Sequence, residues 1–303
     1  MTYSERICHS RRSCDDGNTV MGARLMKTAI IQMAVGRDKA ENIERAREKI
    51  SGAASAGAEL AILPEMFCCP YSGKYFRDFS EEDGPGGPAQ AALSAAAKEC
   101  GIVVVGGSIP ERSGDTLYNT SYVYGVSGER LAKHRKAHMF DVDVKGKITF
   151  AESDYFSAGD KITTFETSFG VVGLCVCFDF RFQEIARMMA LRGAFIIVVP
   201  AAFNMTTGPA HWETMFRQRA VDNQVFTAGA APARDESGEY VSYGNSIAVD
   251  PWGEVIARCG GGECTLIFDV DAGLVGEIRS RLPIIGARRA DMYEVRELAA
   301  PSV

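Results

Sequence analysis

The stretch FGVVGLCVCFDFRFQEIARMMALRGAFIIVVPAAF (169–203) contains two short apolar runs, separated by a segment whose apolar residues recur at helical spacing. Short apolar runs predict buried strands, and a glycine such as Gly193 typically ends a helix. We therefore interpret 169–177 as a strand, 181–193 as a helix and 194–203 as a second strand. This order predicts a helix packed on one face of a sheet.

The same alternation of strands and helices continues on both sides of this stretch, from residue 27 to residue 281. The pattern predicts one strand over 102–110, and TLYNTSYVYG followed by ERLAKHRK predicts a β-hairpin that turns at GVSGE. Residues 141–160 show no regular period and are interpreted as irregular. Crossover helices combined with hairpins indicate an α/β fold in which helices flank mixed sheets.

The domain organisation follows from the absence of any linker, repeat or low-complexity tract between residues 27 and 285. We predict a single domain over 26–285 and a C-terminal tail over 286–303. The first 25 residues lack the apolar run of a secretory signal, and we predict a disordered extension over 1–25. Its arginines weakly resemble a mitochondrial transit peptide, although its acidic residues argue against one. We expect a cytoplasmic location, with a mitochondrial one as the alternative.

Composition excludes several classes of protein. The net charge of −6 argues against nucleic acid or an anionic membrane as the main partner, because both require a basic surface. No apolar run reaches the roughly 20 residues of a membrane span. The nine cysteines are too sparse for a disulfide scaffold, and no pair of CxxC motifs suggests zinc. A reducing compartment is the simplest inference.

Cys175 and Cys177 are separated by one residue and pose a choice between a disulfide, a metal site and one reactive thiol. If both lie in the strand, their side chains point to the same face and do not form a natural bridge. Cys177 stands at the strand's end before a helix, which predicts an exposed thiol near a helix N-terminus, where the dipole favours a thiolate. A buried structural pair is the alternative.

A cysteine nucleophile needs a base or a cation beside it, because an ordinary thiol with a pKa of about 8.5 is mostly protonated at neutral pH. Glu65 and Lys136 each stand at the end of a predicted strand, where both could reach the same rim as Cys177. Each is also consistent with an ordinary solvated side chain. His138 is the alternative base, which would give a Cys–His hydrolase.

Taken together, these residues resemble the signature stretches of the nitrilase (carbon–nitrogen hydrolase) superfamily over about residues 27–295. LPEMF, HRKAHMFD and GLCVCFDFRF match its three motifs in order, which assigns the triad to Glu65, Lys136 and Cys177. Within the superfamily the chain is most similar to the ω-amidases. The stretches that carry this likeness are YSGKYF (71–76), GGSIPE (106–111), LYNT (117–120), GKITFAES (146–153), FNMTTGPAHWE (203–213) and RAVDNQV (219–225).

The resemblance also assigns a second active-site glutamate, Glu152, and an oxyanion role to the backbone N–H of Phe178. Three positions depart from the family pattern: Phe178 replaces a tyrosine, Gln183 replaces proline or alanine, and Asn245 replaces a histidine. The first two changes are expected to leave the chemistry intact. The change at Asn245 puts the local support of the active-site wall in question.

The fold that the resemblance implies is a four-layer αββα sandwich of the nitrilase type with mixed sheets, extended across a homodimer to which the C-terminal tail contributes. The implied reaction is hydrolysis of small ω-amides such as α-ketoglutaramate and α-ketosuccinamate through a cysteine thioester, without a metal or an organic cofactor. Candidate substrate-binding residues are Tyr71, Lys74, Arg181, Phe203, Met205 and Thr206. For Arg181, an ion pair with Glu184 or Asp179 is the structural alternative.

Three other interpretations remain open at this point. The first is another branch of the superfamily: a nitrile hydrolase, an N-carbamoyl hydrolase or a deaminated-glutathione amidase. The second is a non-catalytic interaction protein, and the third is the Cys–His hydrolase that uses His138.

Overall fold

Two β-sheets lie face to face, and each carries helices on its outer surface. The computed structural model describes residues 25–84, 86–146 and 148–298. The helices are α1 (Lys39–Ser55), α2 (Gly73–Phe76), α3 (Pro88–Cys100), α4 (Gln183–Leu191), α5 (Gly208–Asn223) and α6 (Ala272–Arg281). The strands are β1 (Met26–Gln32), β2 (Leu60–Ile62), β3 (Glu81–Glu82), β4 (Val103–Val105), β5 (Ile109–Ser113), β6 (Thr116–Tyr124), β7 (Arg130–Arg135), β8 (Asp141–Val144), β9 (Ile148–Ala151), β10 (Thr163–Thr167), β11 (Gly170–Leu174), β12 (Ile196–Pro200), β13 (Phe226–Ala230), β14 (Ile247–Val249), β15 (Val255–Arg258) and β16 (Cys264–Val270).

The first sheet has the order β16-β1-β2-β4-β6-β5-β3, with β7 also paired to β6. Its β1, β2 and β4 run parallel, whereas β16, β5 and β7 join by antiparallel pairing. The second sheet has the order β10-β11-β12-β13-β14-β15, with β11, β12 and β13 parallel. Both sheets are therefore mixed, as the sequence predicts.

The inner faces of the two sheets share one apolar core. Met26 and Ile30 of β1 pack in it with residues of the second sheet such as Val172 and Val198. The alternate residues of β1, among them Ile31, pack against α1 and α3 on the outer face. Successive side chains of a strand point to opposite faces, so an apolar run buries both sides of this sheet.

The second sheet is covered in the same way by α4 and α5. Met189 of α4 and Phe216 of α5 pack with Ile197 and Val199 of β12. The layers are thus helix, sheet, sheet and helix, which confirms the predicted four-layer αββα sandwich. Within the described ranges, no helix is both long and apolar enough to cross a membrane.

Three predicted elements differ from the structure. The single strand over 102–110 is divided into β4 and β5, because Gly107 has a φ of +57° and a Cβ there would lie 2.0 Å from the carbonyl oxygen of Pro64. The stretch interpreted as irregular contains the hairpin β8–β9. The strand that was expected to include both Cys175 and Cys177 ends at Leu174.

The chain termini bear on two further predictions. The predicted disordered extension over 1–25 lies outside the described residues, except for Leu25. After α6, the described part of the tail forms neither helix nor strand up to residue 298.

Candidate active site

Four side chains that the sequence singles out lie within three residues of a strand end. Glu65 comes three residues after β2, and Lys136 is the first residue after β7. Glu152 follows β9 and begins a short 3-10 helix. Cys177 begins another 3-10 helix, Cys177–Arg181, just beyond β11. Short strands that end at one rim therefore deliver all four side chains.

Lys136 is enclosed between two carboxylates. Its Nζ donates to Glu65 Oε1 at 3.0 Å and to Glu152 Oε2 at 2.7 Å, and all three side chains are fully buried. Glu152 Oε2 also accepts the backbone N–H of Phe140 at 2.7 Å. A buried ion pair is stable only when its remaining polar atoms are satisfied, and these bonds meet most of that requirement.

Asn119 links the two glutamates, a role that its sequence context did not indicate. Its Nδ2 donates to Glu65 Oε1 at 2.8 Å and to Glu152 Oε1 at 3.1 Å. Its backbone carbonyl accepts the N–H of Lys136 at 2.8 Å. One residue of β6 therefore holds the backbone of the lysine and both carboxylates.

Cys177 has a backbone conformation that is unfavourable for a residue with a side chain. Its φ is +48°, in the left-handed region. Burial and the Glu65 carboxylate beside the thiol raise the pKa of Cys177, and the backbone of Ala202 lowers it. Glu65 Oε2 has no hydrogen-bond partner in the described part of the chain, so it is free to accept the thiol proton.

The prediction of an exposed thiol that favours the thiolate is wrong. Cys177 is only 5% exposed, and burial together with the neighbouring Glu65 carboxylate raises the pKa of the thiol well above its ordinary value, although Lys136 opposes this. The resting nucleophile is therefore a neutral thiol beside a carboxylate. Cys175 is fully buried in the apolar cluster under α4 and α5, and burial raises the pKa of its thiol as well.

The electrostatics of the cluster favour a charged lysine and a basic Glu65. Burial disfavours the ammonium of Lys136, but the carboxylates of Glu152 and Glu65 outweigh this and raise its pKa. Burial raises the pKa of Glu65, and the attraction of Lys136 only partly offsets it. A glutamate with a raised pKa is a stronger base than an ordinary one.

Asp179 ties the cysteine turn to the lysine segment. Its carboxylate accepts the backbone N–H of Val176 at 3.1 Å and those of Ala137 and His138 at 3.1 and 2.9 Å. Ring nitrogens of His134 and His138 bond it at 2.9 and 2.8 Å. Burial opposes ionisation, but the bonds from the histidines outweigh it and lower the pKa of Asp179. His138 is thus engaged by Asp179 and stacked on Phe182.

Two adjoining cavities open beside the cluster. A cleft of about 610 Å³ is lined by Glu65, Tyr71 and Tyr240 among others. Cys177 instead lines a pocket of about 10 Å³, whose walls are Phe140, Phe178, Arg181, Ala202, Phe203 and Thr207. The Tyr240 hydroxyl donates to the carbonyl of Ala202, which borders both spaces, and the Tyr240 ring lies 4.7 Å from that of Tyr71.

The candidate substrate-binding residues divide into two groups. Tyr71 lines the cleft, and Arg181 and Phe203 line the small pocket with Cys177. The Arg181 guanidinium lies 4.8 Å from the ring centre of Phe203, and burial lowers its pKa while the nearby Cys177 opposes this. Among the described residues, no ion pair joins Arg181 to Asp179 or Glu184; its Nη1 bonds the ring of His211 instead.

The second group lines neither cavity. Lys74 is exposed and paired with Glu239, and Met205 is 41% exposed. The backbone N–H of Thr206 donates to Asn204, and Thr207, the next residue, lines the small pocket instead. None of Lys74, Met205 and Thr206 lines either cavity in the described part of the chain, and their substrate roles stay predictions.

Asn245, the departure that put the active-site wall in question, is well bonded. It has a φ of +60°, a conformation that asparagine tolerates better than most residues. Its carbonyl accepts the Trp212 indole N–H at 2.7 Å, and its Oδ1 accepts from Arg258 at 3.2 Å. Trp212 packs in turn on Phe203 of the small pocket, with ring centres 5.0 Å apart.

The site thus combines a buried thiol, a lysine and two glutamates at strand ends of an αββα sandwich. The family model described as carbon–nitrogen hydrolase matches residues 27–280. The chain belongs to the carbon–nitrogen hydrolase family. The predicted superfamily is thereby confirmed.

Curated relatives and solved structures agree with this assignment. Omega-amidase NIT2 of Bos taurus is 50% identical over 269 residues, which cover 89% of this chain and 97% of the relative. Omega-amidase NIT2 of Homo sapiens is 48% identical, with the same coverage. The structure of Saccharomyces cerevisiae Nit3, a member of branch 10 of the nitrilase superfamily, has a TM-score of 0.81 at 36% identity and covers 88% of this chain and 97% of its own. The C. elegans NitFhit protein has a TM-score of 0.82 at 28% identity, with coverages of 93% and 70%.

Sequence reasoning missed Asn119, Asp179 and Tyr240 as parts of the site. Asn119 lies in LYNT, a stretch that had been matched to the family without a role for its asparagine. Asp179 lies two residues after the nucleophile, where its spacing could have indicated a cap of the turn. The segment around Tyr240 has no periodic pattern, and no signal in the sequence places its ring against Tyr71.

Proposed function

We propose that this carbon–nitrogen hydrolase is an ω-amidase. It hydrolyses the terminal amide of small keto-dicarboxylic monoamides to the dicarboxylate and ammonia, with α-ketoglutaramate and α-ketosuccinamate as substrates. The observation that carries the proposal is the buried Cys177 thiol, whose pKa is raised by burial and by the neighbouring Glu65 carboxylate, in a pocket that also contains Arg181. The similarity to relatives named omega-amidase over 89% of the chain supports the choice of substrate.

The first half of the reaction forms a thioester. Glu65 accepts the proton of the Cys177 thiol as the sulfur attacks the amide carbonyl. The negative charge that develops on the carbonyl oxygen is stabilised by the ammonium of Lys136 and by the backbone N–H of Phe178. Phe178 is the second residue of a 3-10 helix, and the first N–H groups of a helix have no acceptor within the helix. One such donor typically contributes about 2.7–4 kcal/mol to a transition state.

Glu65 completes the thioester and then restores the resting enzyme. It gives its proton to the leaving nitrogen, and ammonia departs as the carbonyl reforms. Glu65 next accepts a proton from the water that attacks the thioester and returns that proton to the sulfur of Cys177 as the carboxylic acid is released. Glu152 and Asn119 are positioning residues in this scheme, because they bond Lys136 and Glu65.

Recognition of the substrate's far carboxylate is assigned to Arg181. This side chain lies in the pocket of Cys177, and its Nε has no hydrogen-bond partner in the described part of the chain. A buried donor without a partner has an energetic cost that an incoming carboxylate removes. Phe203 supplies an apolar wall, and Tyr71 borders the approach from the cleft.

A substrate panel tests the activity. Ammonia release is measured for α-ketoglutaramate, deaminated glutathione, an N-carbamoyl amino acid and a nitrile at matched concentrations. We expect the largest kcat/KM for the keto-amide. A larger value for any other compound would place the chain in a different branch of the family, and no release from any of them would favour the non-catalytic alternative.

A matched pair of amides tests the role of Arg181. Succinamate carries the far carboxylate and butyramide has a methyl group in its place. We expect Arg181→Gln to lower kcat/KM for succinamate by roughly 10–100-fold, which corresponds to the loss of one charged hydrogen bond of about 1.5–3 kcal/mol, and to change butyramide little. An equal loss for both amides would assign Arg181 to the pocket wall alone.

We also propose a homodimer in which the C-terminal tail takes part, with 26–285 as a single domain. Three apolar side chains of the tail, Met292, Tyr293 and Leu298, are 69%, 52% and 75% exposed, which is unusual for large apolar groups outside an interface. Sedimentation of the full chain should give twice the mass of one chain. A variant with both Met292→Ser and Tyr293→Ser should sediment closer to the mass of the monomer. Unchanged sedimentation would exclude this part of the tail from the dimer interface.

A cytoplasmic location is proposed on the nine cysteines of the sequence, of which the seven described ones are all unpaired. Fluorescent fusions of the full chain, of residues 26–303 and of residues 1–25 alone separate the alternatives. Import of the 1–25 fusion into mitochondria would show that the extension is a targeting segment.

A further inference from the structure

Two cysteines outside the active site flank a loop of three glycines. Strand β15 ends at Arg258, Cys259 follows, and β16 begins at Cys264, so the sequence between the strands reads CGGGEC. The backbone on both sides is fixed by pairing. The N–H of Cys259 donates to the carbonyl of Ser246 at 2.8 Å, and Cys264 is paired with Gln32 of β1.

The fold brings the two cysteines close together. Cys264 pairs with Gln32, whose side-chain amide donates to the carbonyl of Gly260, the residue after Cys259. Burial and, after it, the neighbouring Cys264 thiol raise the pKa of the Cys259 thiol, and neither cysteine forms a disulfide. Cys259 is buried, whereas Cys264 is partly exposed. Such a pair combines one cysteine at the surface with a buried one that can attack it in turn.

The loop between the thiols can adjust to bond formation. A Cβ added at Gly260 or Gly262 would meet nothing within 4 Å, and the atoms nearest to one at Gly261 belong to the Arg234 guanidinium, whose Cζ would lie 3.3 Å away. Three consecutive glycines also permit backbone conformations that other residues resist. The movement that brings the two sulfurs to bonding distance therefore meets little steric resistance from the loop.

We propose that Cys259 and Cys264 form a reversible intramolecular disulfide, a modification site distinct from the catalytic thiol, and that a small-molecule disulfide is the oxidant. The thiolate of Cys264 attacks the oxidant RSSR, forms a mixed disulfide with one RS group and expels the other as a thiolate. Cys259 then loses its proton and attacks the sulfur of Cys264, which releases the second RS group. The net change is two protein thiols and RSSR to one protein disulfide and two RSH.

The disulfide would fix a loop that supports the wall of the large cleft. The Gly261 carbonyl accepts the backbone N–H of Arg234 at 2.7 Å, and Arg234 lines the cleft with Glu65. The Gly260 carbonyl accepts the N–H of Asn245 at 2.9 Å and the side-chain amide of Gln32 at 2.8 Å. Oxidation thus acts on the segment that carries Arg234 and Asn245, without a bond to Cys177.

The test uses the full chain equilibrated with mixtures of reduced and oxidised glutathione. Remaining thiols are alkylated, and the chain is then digested with trypsin. Cleavage after Arg258 and Arg279 gives a peptide that contains Cys259 and Cys264 and no other cysteine. We expect this peptide to lose double alkylation by about tenfold or more as the oxidised fraction rises, and to appear two hydrogen atoms lighter than the reduced peptide.

Controls within the chain separate this outcome from general thiol oxidation. Cys100 is partly exposed and no cysteine of the described ranges acts on it, so at the same glutathione redox poise it should carry only the mixed disulfide. In the Cys259→Ser variant, Cys264 should likewise stop at the mixed disulfide. The proposal is overturned if wild-type Cys264 also stops there, or if both thiols remain alkylated under conditions that modify Cys100.

Discussion

Replacing Asn119 by leucine should move the acid limb of the pH–activity profile to higher pH. The substitution keeps the approximate volume of the side chain but removes the Nδ2 that donates to Glu65 at 2.8 Å and to Glu152 at 3.1 Å. The backbone bond from Lys136 to the carbonyl of residue 119 is unaffected. What is lost is stabilisation of the ionised form of Glu65, the form that must accept the thiol proton.

The size of the shift follows from the bond. A hydrogen bond to a charged group contributes about 1.5–3 kcal/mol, and one unit of pKa corresponds to about 1.4 kcal/mol. The loss of the bond to Glu65 alone therefore raises the limb by about 1–2 units. At pH values below the acid limbs of both proteins, kcat/KM of the variant should be roughly 10–100-fold lower than that of the wild type, with a smaller difference on the plateau.

The assay is ammonia release from α-ketoglutaramate as kcat/KM across the acid range. Ser121→Ala is the matched control, since Ser121 lies two residues along β6, is fully buried, and has a hydroxyl without a hydrogen-bond partner in the described part of the chain. It should leave the limb in place. A plateau loss without any shift of the limb in Asn119→Leu would refute the assignment of Glu65 as the base whose ionisation Asn119 supports.

Three further substitutions test other parts of the site. Cys177→Ala should reduce ammonia release by at least about 10³-fold, whereas Cys175→Ala should retain it and cost about 1 kcal/mol of unfolding free energy in denaturant titrations; equal loss of activity in both would contradict the choice of nucleophile. Asp179→Asn should lower the free energy of unfolding by roughly 2–4 kcal/mol at neutral pH. The pKa of Asp179 is lowered in the folded state, so the stability that Asp179 contributes is present above its unfolded pKa of about 3.9 and is lost as pH falls toward the folded value. Denaturant titrations of the wild type and the variant should therefore converge as pH falls. Curves that stay parallel would contradict this role of the Asp179 carboxylate. Lys74→Met breaks an exposed pair with Glu239, so it should leave the denaturant midpoint of unfolding essentially unchanged and KM within about threefold of the wild type; a tenfold rise in KM would restore Lys74 as a substrate contact.

Much of the fold could be predicted from the chain because its strands are apolar on both faces and its helices end at clear stops. Gly101, for example, ends α3 in the left-handed conformation, as its position after an alanine-rich helix predicts. The break between β4 and β5 could not be predicted, since it depends on Pro64 approaching Gly107 from a different part of the chain. The spacing of apolar residues along the chain contains no information about such a contact.

The same distinction applies to the site. Glu65, Lys136 and Cys177 could be located because each stands at a strand end in a recognisable motif. The burial of Cys177 could not, because the layers that cover it, including Phe140 and Phe203, come from distant segments. The thiol was therefore expected to be exposed with a lowered pKa, and tertiary enclosure reverses both properties.

Lys136 and its two glutamates are shut away from solvent, and this has a consequence for the response of the protein to salt. Counter-ions screen charges that water can reach, with a Debye length of about 8 Å at physiological ionic strength, and they act far less on enclosed ones. The ammonium and carboxylates beside the thiol should therefore keep their mutual attraction in concentrated brine, while the Lys74–Glu239 pair at the rim weakens. We expect kcat to stay constant as the sodium chloride concentration rises. Any change should appear in the binding of the anionic substrate.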